Sequence, residues 1–274
     1  MDWSKTKTIF IIAFLVLDLF LLYQYIETRN SNKYDVLQAS TIEDTLSAND
    51  IQLSQLPQEA DKGSYITCNN RIFTAEDLKN KKLKDQHSST IPVQNNGSQN
   101  PVQLSMEFNQ PVPLPADNMQ EKMQQFVNDN ILFGDQYRFW KYDKENNQLI
   151  YFQDYKGKTI FQKNPSSGIG VLVFKINDEN QIYAYQQSIL VNIKEAEDSE
   201  DIIPAIKAVE ALFKNNEFDL SHKNKVTKAE LGYYTQYPFK DSQILAPAWH
   251  IVVNGNEDFF VTAIRGEVVK SDQK

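Results

Sequence analysis

Few residues in this 274-residue chain are suited to chemistry, and their spacing decides what they can do. The three histidines, His87, His222 and His250, lie far apart, with no His-x-x-x-His pair and no nearby cysteine or paired carboxylates. His87 and His222 sit in polar stretches that read as surface loops. His250 follows Trp249 in an apolar run, where a half-buried imidazole satisfied by a hydrogen bond is the expectation, not a metal ligand. Cys68 is the single cysteine. It cannot form a disulfide within the chain or a Cys-x-x-Cys zinc site, so it is expected to pack as a small apolar residue in a strand. Carboxylates cluster over residues 195–201, but a calcium loop needs ligands at alternating positions around a glycine turn, and no glycine stands there. That run reads as a solvated lead into a helix. No Gly-x-Ser-x-Gly elbow or phosphate-cradling loop is present. No catalytic, cofactor-binding or metal residue is therefore expected, and the chain reads as non-enzymatic.

Asp18 has the strongest chemical claim on attention, because of where it sits. Residues 8–26, TIFIIAFLVLDLFLLYQYI, hold this one charge in nineteen positions. Such a run is long enough to span a bilayer as a helix. It ends in Tyr-Gln-Tyr-Ile-Glu, without an Ala-x-Ala cleavage site or a lipobox cysteine, so an uncleaved anchor is expected and not a signal peptide. Lys5 and Lys7 precede the span, which places residues 1–7 in the cytoplasm and the rest of the chain outside. A tail that short holds no signalling domain. A carboxylate near the middle of a span costs about 2.5 to 3.5 kcal/mol, so a polar contact with another membrane helix is expected to offset it. Phe14, Leu17, Leu21 and Tyr25 share or flank the face of Asp18 and complete the candidate partner-binding stripe.

The net charge of −8 gives no basic face for nucleic acid. Beyond the span, a helix is predicted over 33–51 and strands over 63–73 and 102–108, with Thr74 capping a short helix between them. Residues 86–101 are polar and punctuated by Gly, Pro and Asn, as in a flexible loop. The lysine-rich run at 79–84 reads as a solvated helix end. Met119, Met123, Phe126 and Val127 mark one apolar helix face over 116–131, with Gly134 as the stop. Strands over 137–142, 148–155, 168–176 and 181–193 follow, with turn residues between several of them. The pattern recurs with a helix reaching Lys214, capped by Asp201 with Pro204 in its first turn and a stripe of Ile202, Ile206, Val209 and Phe213. Strands over 226–236, 249–253 and 259–264 end the chain. The expected fold is α+β, with a single N-terminal transmembrane helix and two extracellular helix-on-antiparallel-sheet modules, 27–194 and 195–274.

The opening Asp2-Trp3-Ser4-Lys5-Thr6-Lys7 with a polar residue at position 18 resembles the start of the YycI (WalI) family. The segments LIYFQDYKGKTIF at 149–161, LGYY at 231–234, PAW at 247–249 and RGEV at 265–268 are similar too. The resemblance implies a single-pass cell-membrane protein that acts with a YycH-like membrane protein on the sensor histidine kinase WalK (YycG), which controls cell-wall metabolism. It implies no enzymatic activity and no cofactor. The alternative reading is a tethered binding or chaperone module for a cell-wall or lipid ligand, held along the aromatic strand of Tyr151, Phe152 and Tyr155.

Overall fold

The computed structural model describes residues 3–31, 35–57, 62–89, 102–162, 165, 169–234 and 242–269, without the side chains of 3–6, 8–9, 24–31 and 35–40. It opens with helices α1 (Trp3–Ser31) and α2 (Asp35–Ala48), followed by strands β1 (Ile51–Leu53), β2 (Lys62–Gly63) and β3 (Ile66–Asn70). Two 3-10 turns stand where Thr74 was expected to cap a helix. The Asp77 carboxylate instead accepts from the Thr74 N–H at 2.8 Å and its hydroxyl at 3.1 Å. Strand β4 (Gln86–Ser88) then occupies the start of the expected loop and pairs with β5 (Leu104–Pro113); residues 90–101 of that loop lie outside the described residues.

Helix α3 (Met119–Asn130) buries Met123 and Val127 and half-buries Met119 and Phe126, the predicted stripe. Strands β6 (Tyr137–Asp143), β7 (Gln148–Tyr155), β8 (Lys158–Phe161), β9 (Val171–Ile176) and β10 (Gln181–Gln187) follow, and α3 lies on β5 and on all of these but β8. The β7–β8 turn runs through Lys156 and Gly157, both at positive φ (52° and 79°), the geometry that lets two residues join twisted antiparallel strands.

After β11 (Leu190–Glu195) and β12 (Glu200–Asp201), helix α4 (Ala205–Lys214) begins. Asp201 does not cap it. Asp201 pairs with Lys62 in a two-stranded ribbon, and Pro204, with ψ 155°, is the N-cap. The Ile203 N–H donates to the Ala263 carbonyl at 2.7 Å, which keeps the lead-in extended and delays the helix to Ala205. The buried face is Ala205, Ala208, Val209 and Leu212, with Ile206 and Phe213 half-buried, so two small residues let the helix lie close to its sheet. Strands β13 (Asn224–Tyr234), β14 (Ser242–Val253) and β15 (Glu257–Thr262) complete the chain.

The strands do not form two separate antiparallel sheets. A single thirteen-stranded sheet follows the ten-strand path β11-β3-β14-β13-β8-β7-β9-β10-β5-β4, with β1, β15 and β6 as branches off it. Two pairings on it are parallel, β1 with β13 and β8 with β13. Gly232 explains the second one. A Cβ there would collide with the Thr159 carbonyl and the Phe161 ring, so only glycine lets β13 approach β8. The core follows the same plan. One cluster packs α3 on β5–β7, β9 and β10, and another packs Ile42, Leu46 and Ile51 with α4 and β13–β15. Between them lie two smaller clusters, one around Ile66, Cys68, Tyr233 and Leu245 and one around Phe152, Phe161 and Phe260.

Candidate functional site

Helix α1 is 29 residues long, about 44 Å at 1.5 Å per residue. Its described side chains are Lys7 and residues 10–23. The large apolar ones from Phe10 to Tyr23 are all between 49% and 65% exposed, and Asp18 is exposed among them. Consecutive helical residues step about 100° apart, so this run is apolar around its whole circumference. An exposed surface of that kind belongs against lipid or another protein. Phe14, Leu17, Asp18 and Leu21 fall within about 100° of one another and form a single stripe. The helix alone brings them together. Tyr25, placed on the same stripe by sequence, has a side chain outside the described residues. Among the described residues no helix is long and apolar enough to cross a membrane.

The outer candidates take other places. Tyr151 and Phe152 are fully buried in separate core clusters, and Tyr155 half-covers a third, so the aromatic strand is core and not a ligand wall. Cys68 is buried, and burial pushes its thiol up to about 12, far from nucleophilic range. His87 and His222 are exposed beside Glu107 and Asp219. The acidic run is a solvated surface; Glu195 pairs with Lys156 at 2.8 Å. Among the described residues no group of His, Cys, Asp or Glu could hold a metal ion.

His250 is the buried polar centre. It is 2% exposed, where half-burial was expected. Alternation along β14 places it between its register partners Glu230 on β13 and Phe260 on β15. Its Nε2 lies 2.8 Å from the Asp258 carboxylate, and Nδ1 lies 3.5 Å from Glu230, too far for a good hydrogen bond. Trp140 (4.5 Å between ring centres), Phe161 (5.1 Å) and Phe260 (5.2 Å) wall the imidazole off from water. Lys228 contacts Glu230, and Lys141 on β6 lies 3.8 Å from Asp258. Burial pushes the Glu230 carboxyl up, but the facing His250 and Lys228 outweigh it and hold it below its ordinary value. Together these groups fasten β6 and β8 to β13–β15 at the junction between the two large cores. Sequence reading missed Glu230 and Asp258. Both lay in or beside anticipated strands, but cross-strand register is set by pairing that short-range patterns do not encode.

A family model described as YycI protein matches residues 30–264, starting where α1 is nearly complete. No curated protein matches the chain. Among solved structures, an uncharacterized protein from Eubacterium rectale aligns at 11% identity with a TM-score of 0.47, over 81% of this chain and 90% of that one. YycH from Bacillus subtilis aligns at 12% identity with a TM-score of 0.35, over 62% of this chain and 40% of that one. At these values neither likeness bears on the fold. The family match covers most of the chain, and this protein belongs to the YycI family.

Proposed function

We propose that this protein is a membrane-anchored, non-enzymatic regulator of a WalK (YycG)-like sensor histidine kinase controlling cell-wall metabolism. It acts with a YycH-like membrane protein. Residues 8–26 cross the cell membrane once, with the N-terminus in the cytoplasm and the α+β part outside. Family membership supports the regulatory role. The observation that carries the mechanism is the exposed, all-round apolar run on α1 with one acid set into it. Phe14, Leu17, Leu21 and Tyr25 pack against a kinase membrane helix, and Asp18 supplies register through a polar contact. Regulation then follows from different helix contacts in two kinase states, since a partner shifts an equilibrium only by its differential affinity for them.

The Asp18→Leu substitution tests this reading. It keeps the helix apolar and removes the polar contact, so kinase-dependent transcription and the yield of the kinase complex should both change. Unchanged output and yield would leave Asp18 a tolerated charge and remove the register role.

A further inference from the structure

The free edge of β1 opens into a groove of about 1000 Å³ that the regulatory reading does not use. Seven consecutive residues, 51–57, line it, together with Glu43 and Ser47 of α2 and the start of α4 at Ala205 and Ile206. Side chains of neighbouring strand residues point to opposite faces, so an unbroken lining run means that the groove follows the backbone edge and not one face.

The hydrogen bonds fix which main-chain groups meet the groove. The Asn224 N–H donates to the Asp50 carbonyl at 3.0 Å, and the Ser54 N–H donates to the Val226 carbonyl at 2.9 Å. Both bonds point to β13. Across each trans peptide the opposite group points away, so the Ile51 N–H and the Leu53 carbonyl face the groove. Among the described residues no strand pairs with this side of β1. β1 itself gives about 10 Å of edge at 3.3 Å per residue, and residues 54–57, without helix or turn, carry the lining on past it. Half-buried Leu53, Leu56 and Ile206 supply apolar seats beside it. Glu43 is the single charged residue of the lining.

We propose that this groove binds an extended segment of another polypeptide as an added strand, with alternating apolar side chains and a Lys or Arg opposite Glu43. An unpaired strand edge flanked by helices takes up a strand through main-chain hydrogen bonds and selects it through side-chain seats. The lone acid, on a chain of net charge −8, selects a basic residue. The proposal stands apart from the kinase reading, although α2 joins α1 through residues 32–34 alone, so a bound strand would press on the element next to the anchor.

Gln55 gives the test. It is exposed and lies beyond the β1–β13 register pairs, so proline there removes an N–H of the lining run without touching that ladder. The full chain in lipid nanodiscs is panned with a random heptapeptide display library, and the enriched peptides are titrated by fluorescence anisotropy. Peptides that alternate apolar residues around a Lys or Arg should be enriched. Gln55→Pro should weaken them at least tenfold, Gln55→Ala should not, and Glu43→Gln should weaken them several-fold. Equal affinity for the Pro and Ala variants, or no enriched motif, overturns the proposal. So does a dimer in sedimentation that Gln55→Pro dissociates, because the occupant would then be a second copy of this chain.

Discussion

Gln153 shows how one polar side chain can hold two distant strands. It is fully buried on β7, where its Nε2 donates to the Leu190 carbonyl at 2.9 Å and its Oε1 accepts from the Leu190 N–H at 2.8 Å. Gln153→Ala strands both main-chain groups in a dry core, at a cost of about 2 to 4 kcal/mol. Urea unfolding of the folded part measures it, and a loss below about 1 kcal/mol would mean that water repairs the gap. The carboxylates around the core carry a pH dependence. Burial pushes both Asp77 and Glu230 up, but Thr74 and Arg71 at the first, and His250 and Lys228 at the second, hold each below its ordinary value. A carboxyl lowered in the folded state stabilises above its unfolded value near about 4, and that contribution is lost as pH falls through the folded value. Unfolding free energy should therefore drop as pH falls below about 5, with a shallower fall for Glu230→Gln. An identical slope in that variant would contradict the assignment.

At the scale of elements, the contact between β8 and β13 depends on Gly232. Gly232→Ala forces a methyl into the Thr159 carbonyl and the Phe161 ring, and such overpacking costs about 1 to 3 kcal/mol. Thermal unfolding should show the loss, and an unchanged melting temperature would mean that the two strands separate freely. The same contact shows where sequence reading ends. Helix α3 was legible because Met119, Met123, Phe126 and Val127 recur at helical spacing. The hairpins around Asn147, Lys156 and Asn180 were legible because Asn and Gly mark their turns, and the structure places Asn147, Gly157 and Asn180 at positive φ. Both signals are local. The parallel pairings of β13 with Ile51–Leu53 and with Ile160 and Phe161 join segments about 70 to 170 residues apart and leave no short-range pattern. The candidate stripe on α1 has no such spacing behind it: it was placed by the one acid in an apolar run, and it belongs to the proposal. The buried setting of His250 was not legible, since Glu230 reaches it only through β13–β14 register and Asp258 from beyond the next turn.

At the scale of the whole molecule, two cores sit on one continuous path of strands. A core of α3 with its sheet and a core of α2, α4 and β13–β15 meet through Trp140, Phe161, His250 and Phe260. Three residues separate the apolar helix from α2, the first element of the second core along the chain. The most direct measurement is co-purification from detergent-solubilised membranes. The full-length protein is compared with a version in which residues 8–26 are replaced by a neutral Leu/Ala span, and each is probed for the histidine kinase and for a YycH-like protein. The native span should retain the kinase and the replacement should lose it. Retention by both would place the interaction in the outer part, and retention by neither would contradict the regulator reading altogether.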